Sequence, residues 1–222
     1  MKQKVLIVAA HPDDEVLGVG GTASQHAKDG DTVETIILGE GITSRNDVGG
    51  QESLQELQAS AKAAAKALGT NSPIILGLPD NRLDSLELLD IIRPIEDVIK
   101  RFSPDTVYTH HGGDLNIDHR ITHSAVLTAC RPTPESSVCR IYAFETVSST
   151  EWLFGRSSQQ FAPQRYVDIT QTIDAKLSAL ACYNSEMRQF PHARSIKTIE
   201  SLAKLRGSQV GFLNAEAFEV LL

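Results

Sequence analysis

Long apolar runs are missing from this chain: no stretch of its 222 residues approaches the roughly 20 apolar residues that a bilayer-spanning helix needs. The short run Val5 to Ala10 passes straight into charged residues and has no small-residue cleavage site, so it reads as a strand and not as a signal peptide. Cysteine is scarce. Cys130, Cys139 and Cys182, at irregular spacing, offer neither a disulfide framework nor a CxxC zinc site. Free thiols in a reducing compartment are expected, and with them a cytoplasmic location. Basic charge is short as well, the formal net charge being -7. Without a basic stripe to neutralise phosphates, a general nucleic-acid binder is excluded, although a locally basic pocket is not.

What is there is ordinary for a globular protein: 41% apolar and 22% charged residues, enough for one sizeable α/β domain. Lys4 to Ala10 has the continuous apolar character of a central parallel strand. A helix is expected over Gly18 to Lys28, a strand over Thr32 to Leu38, then a polar loop to Gly50. Helices over Gln51 to Leu68 and Asp84 to Arg101 flank a short strand, Ile74 to Leu76. A strand over Thr106 to Thr109 precedes a helix over Ile121 to Cys130, and Ile141 to Thr146 is strand-like. Two further helices are expected, Asp174 to Arg188 and Ile196 to Leu205, in a less regular final third. Alternation of this kind implies βαβ units, with helices on both faces of a parallel sheet.

Two dense clusters of ionisable residues, His11 to Glu15 and His110 to His119, begin where expected strands end. Ligands of open α/β sheets sit at the carboxyl ends of strands, so the two clusters should meet in space. His11, Asp13 and Asp14 on one loop offer nitrogen and oxygen ligands suited to Zn²⁺. Asp13 and Asp14 cannot both face a metal in the same way, so one can bind it while the other holds a water. The pattern does not say which. A catalytic site needs a third protein ligand, and His119 is a good donor. Such a centre suits amide or ester hydrolysis. The bland alternative, acidic helix caps, explains one cluster more easily than two.

The segment Ala10-His11-Pro12-Asp13-Asp14-Glu15, following an apolar strand, resembles the signature of the PIG-L (LmbE-like) family of zinc-dependent N-acetylglucosaminyl deacetylases. Asp114-Leu115-Asn116-Ile117-Asp118-His119 is similar to the family's later motif. Asp80-Asn81-Arg82-Leu83-Asp84 and the tail from Arg206-Gly207 to Ala215-Glu216-Ala217-Phe218 extend the resemblance over most of the chain. It implies one Zn²⁺ per chain on His11, Asp14 and His119. It further implies Asp13 as general base, Asp118 as an orienting acid and Arg45 as a contact to the substrate sugar. Many members carry a histidine where this chain has Asn116, the group that stabilises the oxyanion. The Asn116 amide can donate in its place, or His110 or His111 supplies the imidazole; His111 is also counted among the substrate-contacting groups.

Weaker signals have plainer readings. Gly18-Val19-Gly20-Gly21-Thr22-Ala23 matches GxGxxA, but HPDDE stands where the phosphates would sit, so close helix packing is the better reading. His123, four residues after His119, is expected at the surface or behind the ligands, and His26 and His192 at the surface. Glu145 either reaches the pocket or is structural. Arg188, Arg194 and Arg206 are solvated by default, with binding of an anionic substrate group as the alternative. Trp152 and Phe154 form an apolar lip or are packing.

The expected fold is a single Rossmann-like α/β domain over residues 1–222, with a mainly parallel sheet flanked by helices on both faces. The expected function is metal-dependent hydrolysis of the N-acetyl group of an N-acetylglucosamine-type conjugate. The partner is thus a small N-acetylated amino sugar; a homo-oligomer is compatible with the family. One rival places the same residues on an acylated metabolite without a sugar. Another is a non-catalytic sugar-binding homologue, which the joint presence of ligands and base counts against.

Overall fold

The computed structural model describes residues 2–41, 50–152, 154 and 159–222, with the backbone alone for 50–53. Five strands run parallel: β1 (Lys4–Ala9), β2 (Thr32–Gly39), β3 (Ile74–Leu78), β4 (Thr106–His110) and β5 (Arg140–Phe144). Two more, β6 (Arg165–Asp168) and β7 (Ala215–Val220), join antiparallel, giving the order β3-β2-β1-β4-β5-β7-β6. The helices are α1 (Asp14–Lys28), α2 (Gly50–Leu68), α3 (Leu88–Phe102), α4 (Ile117–Ala129), α5 (Ile173–Cys182) and α6 (Ile196–Ser208). The mainly parallel α/β sheet expected from the alternation is therefore the observed one. Its order reverses between β1 and β4, the place where such sheets open a crevice.

β1 is buried from Val5 onward and β4 throughout, which explains their unbroken apolar character. Leu6, Val8, Val107 and Ile141 pack with Ile91, Ile95 and Val126 of α3 and α4 on one side. On the other, Ile37 and Val16 pack with Ala61, Ala64, Leu180 and Ile199. α1 lies so close to the sheet that a Cβ on Gly18 would stand 2.1 Å from Phe144 Cδ2, inside any permitted contact. The glycines of the GxGxxA segment thus serve packing. A buried ion pair locks the same helix: Lys176 Nζ lies 2.5 Å from Glu216 Oε1 and donates to the Leu17 carbonyl at 2.8 Å. Glu216 accepts the Gly21 and Thr22 N–H groups at 2.9 and 2.7 Å.

Several boundaries differ from expectation. The helix expected from Asp84 is α3 and begins only at Leu88; Leu83–Ser85 form a single 3-10 turn, separated from it by extended Leu86 and Glu87, and Pro94 sits inside α3. α4 begins at Ile117, four residues early, because Asn116 caps it by accepting from Asp118 N at 2.8 Å. α5 ends at Cys182, short of Arg188. At one edge of the described sheet, β3 shifts register against β2 between Ile37 and Gly39, and Gly77 takes φ 72°.

Candidate active site

His11 follows β1, and His119 lies in the first turn of the helix after β4; the parallel pairing of these strands brings the two clusters together. Asp14 Oδ2 lies 3.2 Å from both His11 Nδ1 and His119 Nε2. That matches the edge, about 3.3 Å, of a tetrahedron of ligands bound at about 2.0 Å. Asp14 Oδ1 and both ring nitrogens of His119 are buried without an aligned hydrogen bond. Buried polar atoms are rarely left unmatched, so Asp14 and His119 Nε2 fit a cation between them, while Nδ1 is turned to Asp114.

Carboxylates stand behind both histidines. His11 Nε2 lies 3.0 Å from Asp118 Oδ2 and 3.2 Å from Asp80 Oδ1, and Asp118 Oδ1 accepts from Leu83 N at 3.1 Å. His119 Nδ1 lies 3.2 Å from Asp114 Oδ1. Asp114 is itself held by Ser149 Oγ, by Thr150 Oγ1 at 2.6 Å and by Asn116 N at 2.8 Å. Carboxylate-backed imidazoles are typical of metal-ligating histidines. The local field is correspondingly negative. Burial opposes charge on His11, yet its bonds to Asp118 and Asp14 outweigh this and lift its pKa to about 10. Burial likewise opposes charge on His119, and Asp14 and Asp114 raise it to about 9. Asp14 is held well below the carboxylate range although burial raises it, because His119 and His11 face it. Four carboxylates, Asp14, Asp80, Asp114 and Asp118, gathered around two imidazoles are a donor set that suits a divalent cation.

Asp13 takes φ 100°, a strained conformation for a residue with a side chain. Its N–H donates to Glu15 Oε2 at 3.0 Å, and Tyr183 Oη donates to Glu15 Oε1 at 2.6 Å. Its Oδ2 accepts from Arg194 Nη1 at 2.7 Å. Burial raises the Asp13 pKa well above the usual range, Arg194 opposes, and Asp14 adds to the rise. Burial also lifts Glu15 to about 7. Glu15, Tyr183, Arg194, Asp80 and Asp114 form a supporting layer to which sequence reasoning gave no such role. Tyr183 and Arg194 lie far along the chain and carry no local signal.

The remaining expected residues are placed as follows. Asn116 caps α4 with Oδ1 and donates from Nδ2 to Asn81 Oδ1 at 3.2 Å. His110 is fully buried and stacks on His119 with ring centroids 3.9 Å apart. Its Nε2 accepts the Ala10 N–H at 2.9 Å, so its proton is on Nδ1, toward Thr146 Oγ1. His123 Nδ1 donates to the His110 carbonyl, and Glu145 forms a two-bonded pair with Arg206 at 2.7 Å. His26 is not a free surface group: it bridges Asp31 at 2.7 Å and Tyr108 Oη at 3.3 Å. Trp152 and Phe154 are exposed. Arg45 lies outside the described residues.

His111 faces two acceptors, Glu219 Oε2 at 2.6 Å from Nδ1 and the Gln159 carbonyl at 2.8 Å from Nε2. Only the imidazolium donates from both nitrogens. Burial works against that charge, but Glu219 and Gln159 outweigh it and raise the pKa above 6.5. The stabilisation is therefore complete below about pH 6.5 and lost as pH rises through the raised value. Burial raises Glu219, but His111 and Ala162 N–H bring it below its ordinary 4.5, so its share is present above that value and lost as pH falls. The Tm gap between wild type and His111→Gln should be widest between about pH 4.5 and 6.5 and narrow at higher pH. A gap that widened with pH would overturn the assignment.

Residues 6–130 match the family model PIG-L, GlcNAc-PI de-N-acetylase. The chain is 30% identical to the uncharacterized deacetylase YaiS of Escherichia coli K12, over 83% of this chain and 92% of that one. It is 27% identical to a probable N-acetyl-alpha-D-glucosaminyl L-malate deacetylase 2 of Bacillus cereus, over 87% and 90%. In fold it is similar to GalB, the 4-carboxy-2-hydroxymuconate hydratase of Pseudomonas putida KT2440, with a TM-score of 0.79 at 21% identity over 100% and 97%. Since that neighbour is a hydratase, fold alone does not name the reaction here. Domain match and relatives together establish that this chain belongs to the PIG-L (GlcNAc-PI de-N-acetylase) family.

Proposed function

We propose that residues 1–222 form one deacetylase domain that removes the acetyl group from an N-acetylglucosamine-type conjugate, with one Zn²⁺ as cofactor. The observation that carries this is the meeting of His11, Asp14 and His119 around unmatched buried lone pairs, with a second carboxylate, Asp13, on the same loop. His11, Asp14 and His119 would hold the ion. When bound, it would polarise the acyl carbonyl and make water a better nucleophile.

The protein's own groups supply the rest. Asp13 takes a proton from the attacking water as oxygen bonds to the acyl carbon. It returns that proton to the sugar nitrogen as the C–N bond breaks, so water and amide become acetic acid and free amine. Burial raises the basicity of the Asp13 carboxylate, and Arg194 opposes the rise. Asp118 orients the His11 ring, and Arg45 is the proposed sugar contact. The sugar is supported by a relative and a family model whose names specify N-acetylglucosaminyl substrates. Three unpaired cysteines support a cytoplasmic site of action. No described helix is long and apolar enough to cross a membrane.

The test is acetate release from a panel of N-acetylglucosamine conjugates before and after chelation. Release that disappears with the metal and returns with zinc is expected. Release indifferent to chelation would refute the metal centre, and silence on sugars with activity on simple N-acetyl amides would refute the sugar.

A further inference from the structure

Deacylation builds negative charge on the acyl oxygen, and losing one donor to such an oxyanion typically costs about 10²–10³ in rate. The side chains that the sequence offers for this charge are engaged elsewhere in the folded chain. Asn116 is held by the α4 cap and by Asn81. His110 faces the Ala10 N–H and Thr146, and His111 faces Glu219 and Gln159.

Arg194 is bonded to the proposed base itself. Its Nη1 lies 2.7 Å from Asp13 Oδ2 and 3.6 Å from Glu186 Oε2, and its Nε donates to Ser148 Oγ at 2.8 Å. A guanidinium is a rigid planar fork, so fixing Nε and Nη1 also fixes Nη2. No hydrogen bond from Nη2 is formed among the described residues. The side chain is 23% exposed, so the charge is partly shielded from water yet open on one side. An arginine stays ionised throughout the working pH range. Resting on the deacetylase reading of the same site, we propose that Arg194 is its positioning residue for Asp13 and its fixed positive charge. One amino group orients the Asp13 carboxylate, and the other stands ready for the anionic form of the reacting acyl group.

The test compares wild type with Arg194→Gln and Arg194→Lys, each loaded with zinc. It follows acetate release, zinc content, and binding of an anionic N-methylphosphonyl glucosamine, in which a tetrahedral phosphonyl group replaces the acetyl. Arg194→Gln should lower kcat about 10²–10³-fold with KM within about threefold and zinc content unchanged. Affinity for the phosphonyl compound should fall by a similar factor, since that compound carries the charge which the neutral amide lacks. Arg194→Lys, which restores charge without the fork, should recover part of both losses. Should Arg194→Gln fail to fold, Arg194→Lys alone decides, with at least a tenfold loss of phosphonyl affinity expected. Activity within tenfold of wild type in a folded Arg194→Gln enzyme would overturn the inference, as would a kcat loss without any loss of phosphonyl affinity. If wild type released no acetate from any sugar, the deacetylase reading would fall and take this inference with it.

Discussion

On the proposed mechanism, Asp13→Asn should lower kcat by about 10²–10⁴-fold, the range that a positioned proton-transfer group contributes, while zinc binding and the fold are retained. The amide matches the carboxylate in shape and can still accept the Arg194 hydrogen bond at Asp13 Oδ2. Asparagine also tolerates positive φ better than most residues, so the turn at φ 100° is not further strained. It cannot accept the proton of water. The change removes one of two adjacent buried carboxylates, so metal content should hold even as turnover collapses. Acetate release with zinc content measured on the same sample distinguishes the outcomes. Turnover within tenfold of wild type would remove Asp13 from the mechanism.

Lys176→Met should destabilise the fold by about 3–5 kcal/mol, because it leaves the Glu216 carboxylate buried without its counter-charge. At about 2–4 °C per kcal/mol for a chain of this size, Tm falls by roughly 6–20 °C. Glu216 also accepts two N–H groups in the middle of α1, so it cannot simply turn out to water. Adding Glu216→Gln should recover part of the loss, since the amide oxygen still accepts while the charge is gone. Differential scanning calorimetry of both variants is the measurement. A Tm within 2 °C of wild type after Lys176→Met would show that the pair is dispensable.

How much of this was legible in the chain depends on the reach of the signal. β1 and β4 could be read because both faces are buried and their apolar runs are continuous. The meeting of the two clusters followed from topology alone. β7 escaped notice because its inward carboxylates, Glu216 and Glu219, break the apolar pattern and find partners in Lys176 and His111, elements remote in sequence. α4 was expected too late because after Ile117 its first turn carries Asp118, His119 and Arg120, whose polarity breaks the apolar pattern of a packed helix. Arg194 was visible as an arginine in an irregular stretch. Its partner, Asp13, is 181 positions away, and no periodicity links them.

The break in β3 bears on how copies of this chain could associate. An edge strand offers unpaired main-chain groups to any strand that aligns with it. The register shift against β2 and the left-handed turn at Gly77 disturb that template halfway along its five residues. A second copy docking there would find no straight row of donors and acceptors, so this edge disfavours end-to-end sheet fibres.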